Sequence, residues 1–327
     1  MIAFPTDEPP HPGAPLSTPI QHPAILYELN SRMYSRIVTS QSAKHERQSL
    51  AFCPTWLYQK MFSRKGSAMK IVVLAKEVPD TWSDRKIDLE TGQLNRLVSE
   101  PVPDEINERA LELALVHKDH NPKTEIVLVS IGPETAKKSL RKLLAMGADS
   151  AVLVSDEQLA GSDMTQTARV LAAAVQPLEA DLILAGDVAT DGRGGMIPAM
   201  LSELLGIPLL PGLEDSIISE DTIRGTAQID GGTIQLSATY PAVASITERA
   251  AEPRFASFKG IRRAKKKPLD TRSLTDLALT AGPETKGAQS VMVSAADRPE
   301  RSAGPKITDD GTAAAQLVEF LTTKHLI

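Results

Sequence analysis

Four short runs, apolar almost throughout and each followed by a segment of helical periodicity, leave this chain few folds to choose from. They are Ile71–Ala75, Glu125–Ile131, Ala151–Val154 and Leu182–Ala185. Apolar residues that do not alternate with polar ones describe strands buried on both faces. Between the runs, Asp104 can cap a helix with Ile106, Ala110, Leu113 and Ala114 on one stripe, ending at the polar His117. Gly132-Pro133 opens a helix with Ala136, Leu140, Leu143 and Leu144 on one face, and Gly147 is placed to end it. Asp163, with Gln166 three residues on, resembles a capping box ahead of Ala168, Leu171 and Val175. This rhythm predicts an α/β fold: an open, mostly parallel sheet with helices on both faces. On such sheets ligands bind beyond the carboxyl ends of strands, where the strand order switches. The loops placed there are Ala75–Thr81, Ile131-Gly132-Pro133 and Gly186–Gly195.

The last of these loops is the richest in glycine: Asp191-Gly192-Arg193-Gly194-Gly195-Met196-Ile197-Pro198. It joins an apolar strand to an amphipathic helix whose first turn tolerates Pro198. Glycines there let the backbone approach a phosphate, and the helix N-terminus supplies free N–H groups and partial positive charge. An ordinary strand-to-helix loop has the same look. Asp187 and Asp191, which flank the loop, suit either a ribose or a helix cap.

After Pro208 the pattern changes. Thr222–Ile229, Asp230-Gly231-Gly232 and Thr233–Thr239 read as a hairpin, and Pro241–Thr247 as another strand, together predicting an antiparallel extension of the sheet. Residues 280–306 lack periodicity and read as an extended arm. A short helix over Ala313–Thr323, with Leu317, Phe320 and Leu321 on one face, closes the chain. The predicted division is an extension over 1–68, a nucleotide-binding α/β domain over 69–270, and a C-terminal arm and helix over 271–327 that packs on a partner subunit.

Residues 1–68 hold three of the four tyrosines and eight of the 23 prolines, together with Cys53 and the cluster Trp56-Leu57-Tyr58. Their Pro-rich start predicts disorder, and Met69 opens the first regular strand. The Arg- and Lys-containing 31–68 would suit a transit peptide but shows no clear amphipathic helix, so a cytoplasmic protein is expected, with the mitochondrial matrix as the alternative. The net charge of -5 gives no footprint for nucleic acid, and no apolar stretch reaches the roughly 18 residues a membrane span needs. A single cysteine allows no internal disulfide, and His117, His120 and His325 show no metal spacing. No catalytic set of Ser, His and Asp, and no paired carboxylates, stand out.

Five segments, in order, resemble the beta subunit of electron transfer flavoprotein. They are Val72-Val73-Leu74-Ala75-Lys76-Glu77-Val78-Pro79-Asp80, Asp104-Glu105-Ile106-Asn107-Glu108-Arg109-Ala110, Leu140–Asp149, the glycine loop, and Glu252-Pro253-Arg254-Phe255-Ala256-Ser257-Phe258-Lys259-Gly260-Ile261 leading into Ala264-Lys265-Lys266-Lys267. The resemblance covers 69–327. It implies an electron carrier without substrate turnover of its own, paired with an alpha subunit that holds most of the FAD, while beta buries an AMP. It also implies donors such as acyl-CoA dehydrogenases and other flavin dehydrogenases, and a membrane quinone reductase type of acceptor. The AMP pocket it implies comprises Leu74, Ala75, Asp104, Glu105, Ile106, Asn107, Ile131, Gly186, Asp191, Gly192, Arg193, Gly194, Gly195, Met196 and Ile197. Thr81 and Trp82 match the part of the family that nears the flavin from the beta side.

In one place the chain departs from the family. Many members carry Thr and Gln in the loop where this chain has Arg193 and Gly195. The missing Gln removes side-chain hydrogen bonds, which Arg193 could replace at a phosphate. AMP and a second FAD, as in electron-bifurcating relatives, both remain open for the pocket, with AMP favoured. Ahead of the lysines, Phe255, Phe258, Lys259 and Ile261 are implied to dock the dehydrogenase, with Phe258 as the inserted apolar residue. The competing readings are a buried core position for Phe258 and a solvated charge run for 259–267. Two rival functions fit the scaffold: a nucleotide-binding enzyme or ATP sensor, and a structural subunit with an empty pocket.

Overall fold

The computed structural model describes residues 26–28, 68–96, 99–279, 292–296, 299, 304 and 306–327. Apart from 26–28 and 68, the extension over 1–68 expected to be disordered, with Cys53 and the Trp56-Leu57-Tyr58 cluster, lies outside the described residues, as does most of the arm over 280–306. Within 1–68, the backbone of β1 (Leu26–Glu28) runs parallel to Gln235–Ser237.

The parallel core starts at β2 (Lys70–Leu74), which turns Ile71 and Val73 to one side and Val72 and Leu74 to the other. A small antiparallel pair, β3 (Glu77–Pro79) with β4 (Pro101–Pro103), brackets the polar stretch. Next come α1 (Glu105–His120), β5 (Glu125–Ile131), α2 (Lys137–Met146) and β6 (Ser150–Val154). The chain then crosses to the far side of β2 through α3 (Met164–Val175), β7 (Leu182–Gly186) and α4 (Ile197–Leu205). Right-handed crossovers put helices on opposite faces when the direction of travel along the sheet reverses. Accordingly Ile71, Ile126, Leu128 and Leu182 pack with α1 and α2, while Val72, Val127, Val129 and Ile183 pack with α3 and α4. The expected caps are present: Asp104 Oδ1 accepts from Ile106 N at 3.0 Å and Asp163 Oδ1 from Gln166 N at 2.8 Å.

The hairpin forms as expected from β9 (Thr222–Ile229) and β10 (Gly232–Thr239), but β8 (Leu209–Ile218) precedes it. β8 begins parallel to the core and is bent at Gly212, with φ of 62°, before pairing antiparallel with β9. β11 (Ala242–Ile246) is a correction to the predicted extension. It does not join the antiparallel edge but returns between β7 and β8, parallel to both and fully buried. Its apolar run, like those of β2 and β7, is that of a central parallel strand.

α5 (Phe258–Ala264) and β12 (Leu269–Arg272) follow, β12 pairing parallel with β6. The boundary drawn at 270 falls inside β12, and Leu274 is buried on the core. Among the described residues the sheet has ten strands in the order β1-β10-β9-β8-β11-β7-β2-β5-β6-β12. A separate unit contains 87–93 and 292–327; its helix α6 (Ala313–Thr323) has the predicted bounds and leaves Leu317 and Val318 exposed.

At Gly260, α5 packs tightly against the end of α2. A Cβ there would sit 2.3 Å from the Ala145 carbonyl oxygen, a backbone atom that cannot swing away. Gly260→Ala is expected to destabilise the fold by about 2 kcal/mol through overpacking. Chemical denaturation checks this, and an unchanged midpoint would count against the close contact.

Candidate functional site

The strand order switches between β2 and β7, and the carboxyl ends of these two strands open onto the N-terminus of α1 and the glycine loop. Leu74 ends β2, Ala75 follows it, and both are buried. Gly186 ends β7, where a Cβ would lie 2.8 Å from Asn107 Nδ2 and 3.0 Å from Ile106 Cγ2, so only glycine lets α1 come so near. Asn107 Oδ1 accepts from Lys76 N at 2.8 Å, which ties α1 to the segment that follows β2.

Asp104 is fully buried and serves two elements. One oxygen caps α1; the other accepts from Thr190 N at 2.7 Å and Thr190 Oγ1 at 3.0 Å, holding the glycine loop to the start of α1. Ile131 ends β5, one strand beyond β2. Glu105 is exposed in the first turn of α1. The structure thus brings Leu74, Ala75, Asp104, Ile106, Asn107, Gly186 and Asp191 together, with Ile131 and Glu105 at the margin.

The loop itself presents backbone. Gly192 to Met196 are exposed, Gly195 has φ of 65°, and Met196 supplies no side-chain cap to α4, whose first turn contains Pro198. The leading amides of α4 therefore lack intrahelical partners, which leaves a donor-rich, partly positive helix end. Arg193 is also exposed, in a left-handed conformation with φ of 50°.

Neither flanking aspartate caps the helix. Asp187 Oδ1 accepts from the next amide, Val188 N, at 2.8 Å, and burial pushes its carboxyl above the usual range. Asp191 has a side chain only 1% exposed and lies between two cations: Lys76 Nζ at 2.6 Å and Arg96 Nη2 at 3.0 Å. Burial raises the Asp191 carboxyl, but the Lys76 hydrogen bond and the charges of Lys76 and Arg96 outweigh it and hold it low. A depressed folded pKa means stabilisation that is complete above the ordinary carboxylate value of 3.8 and is lost as pH falls toward the folded one. Asp191→Asn should therefore be less stable than the parent at neutral pH, with the gap closing on acidification below about pH 4. Melting curves across that range check it; a gap that is independent of pH would remove the ion pairs from the explanation.

Lys76, Arg85, Arg96 and Thr190 were absent from the residues expected from sequence. Lys76 and Thr190 lie within the loops Ala75–Thr81 and Gly186–Gly195, which was their signal, whereas nothing in the sequence marks Arg85 or Arg96.

The second region is the segment before the lysines. Arg254 is anchored on α1, with Nε 2.8 Å from Glu112 Oε2 and Nη2 2.8 Å from Asp119 Oδ2, and these carboxylates push its guanidinium further into the charged form. Ser257 caps α5 by accepting from Gly260 N at 3.0 Å. On this fixed base Phe255 is 99% and Phe258 81% exposed, with Lys259 and Ile261 also exposed, so Phe258 is not a core aromatic. The charge run is only partly solvated: Lys267 Nζ donates to Leu144 O at 3.0 Å and Ala148 O at 2.5 Å, at the carboxyl end of α2. Arg141 Nη1 donates to Ala264 O at 2.5 Å and Lys267 O at 2.6 Å, so the C-terminal end of α5 is tied to α2.

Comparison with known proteins gives this scaffold a family. The electron transfer flavoprotein domain family matches residues 97–277. The electron transfer flavoprotein subunit beta of Mycobacterium tuberculosis H37Rv is 40% identical over 263 residues, covering 79% of this chain and 99% of that protein. The chain belongs to the electron transfer flavoprotein beta-subunit family. The same-named subunit of Mycobacterium leprae is 41% identical over 265 residues, covering 79% and 99% of the two chains. The caffeyl-CoA reductase-Etf complex subunit CarD of Acetobacterium woodii is 34% identical over 268 residues, covering 79% and 100%. Electron transport as part of a flavoprotein, beside an alpha subunit, follows from membership. No helix among the described residues is long and apolar enough to cross a membrane.

Proposed function

We propose that this beta subunit holds an adenylate, AMP, on the glycine loop and completes with its alpha subunit the site of a shared FAD. One observation carries the reading: the uncapped start of α4, preceded by exposed glycines, stands at the strand-order switch. The residues present fit the ligand. A phosphate takes hydrogen bonds from the amides of Gly195, Met196 and Ile197, and needs no side chain where relatives supply Gln. Lys76 and Arg96 share the single carboxylate of Asp191, so one positive charge remains beside the backbone donors to attract an anion. FAD, when bound, supplies the redox chemistry, and this chain's residues bind and orient it. Electrons would arrive from acyl-CoA or other flavin dehydrogenases docking at Phe258 and leave to a membrane quinone reductase type of acceptor, from a cytoplasmic carrier.

A second FAD in the same loop is the alternative reading, favoured by open space: a Cβ on Gly192 would meet nothing within 4 Å. Denaturing the purified complex and identifying the released nucleotides by chromatography decides between them. One AMP and one FAD per complex is the expected result. Two FAD would establish the bifurcating type, ATP an enzyme or sensor, and no adenine compound beyond one FAD would refute adenylate binding.

A further inference from the structure

Two arginines of the polar stretch reach consecutive residues of the glycine loop. Arg85 Nη1 donates to the Thr190 carbonyl oxygen, while its Nη2 lies 3.0 Å from Pro79 O and 3.3 Å from Thr190 Oγ1. Arg96 Nη2 is 3.0 Å from Asp191 Oδ2, and its Nη1 is 3.3 Å from Glu77 O. Each guanidinium therefore bridges the loop and the backbone around β3. Directly after these two anchor points, Asp80 forms a tight turn: its Oδ1 accepts from Trp82 N at 3.0 Å and its carbonyl from Ser83 N at 3.2 Å. The turn displays Trp82, 96% exposed, on a pinned backbone. An indole so exposed has no packing to hold it in place. What is held is its backbone, by the Asp80 turn and by the arginine contacts to Pro79 and Glu77.

We propose that Arg85 and Arg96 are positioning residues that clamp β3 and the following segment 79–86 to the glycine loop, so that a nucleotide bound on the loop governs the placement of Trp82. The inference rests on the adenylate reading above and adds a linkage to it. The loop is exposed from Gly192 to Met196 and continues directly from Thr190 and Asp191, whose side chains are buried and bonded to Asp104, Lys76, Arg85 and Arg96. A phosphate on the exposed part orders it. That order passes through Thr190 and Asp191 into both guanidinium groups, and by reciprocity fixing the segment tightens the nucleotide.

The test is amide hydrogen exchange on the full chain in complex with its alpha subunit, stripped of nucleotide and then supplied with AMP. AMP should slow exchange at 190–197 and also at 79–86, the latter by about tenfold, the equivalent of one charge-assisted hydrogen bond. In the Arg85→Ala/Arg96→Ala double variant AMP should still slow exchange at 190–197 but no longer at 79–86. Slowing at 190–197 alone in the parent protein, or slowing at 79–86 that survives in the double variant, would overturn the clamp. Slowing at neither segment would instead overturn the adenylate reading and the linkage that depends on it. The comparison within the parent protein decides the linkage even if the double variant does not fold.

Discussion

Asp104→Ala is expected to destabilise the protein by about 3 kcal/mol, because it removes a helix cap and orphans buried donors at once. The carboxylate is fully buried and accepts from Ile106 N, Thr190 N and Thr190 Oγ1. Loss of the cap alone costs roughly 1 kcal/mol. Leaving the Thr190 amide without its charged acceptor adds about 1–3 kcal/mol. Asp104→Asn keeps the shape and one acceptor, so its loss should be smaller. Urea denaturation of both variants gives the comparison. A change below about 1 kcal/mol for the alanine variant would mean that water replaces the carboxylate and that Asp104 does not hold the loop. The nucleotide content of the folded fraction should fall with it, since Thr190 is the loop's fixed end.

Phe258→Ala should reduce electron transfer from an acyl-CoA dehydrogenase about thirtyfold at limiting partner concentration, the effect of losing one buried interface anchor of about 2 kcal/mol. Phe258 is exposed at the start of α5, and that helix is fixed by Ser257, Arg254, Arg141 and Lys267. A rigid base under an exposed aromatic lowers the ordering cost of docking. Flavin and nucleotide content should stay at the parent level, as the glycine loop is built from other elements. Stopped-flow reduction of the variant complex by the dehydrogenase measures the effect. An unchanged rate at every partner concentration would reject docking through this residue.

The parallel core was legible because buried strands and amphipathic helices have different periods. Ile71–Ala75 and Leu182–Ala185 could hardly be anything else, and the caps at Asp104 and Asp163 mark where their helices begin. The hairpin was legible from Asp230-Gly231-Gly232. β11 was located but misplaced: Pro241–Thr247 follows a hairpin, and nothing in its own residues says whether it pairs with β10 or inserts beside β7. The site divides in the same way. Gly186 and Asp191–Ile197 follow from the strand-glycine-helix order and from the family resemblance. Lys76, Arg85 and Arg96 do not, because their partners lie about a hundred residues away and no spacing records such pairs.

The linear order of residues determined the local states: which segments are strands or helices, where helices start, and that a loop poor in side chains stands before α4. Those follow from short-range sterics, hydrogen-bond caps and the periodicity of burial, all of which act within a few residues. Only the tertiary structure decided that Asp191 is an ion-pair hub and not a cap, that Phe258 faces solvent, and that β11 is central. Each of these depends on which distant backbone and charges come within about 3–4 Å, and that proximity exists only after the sheet has chosen its strand order.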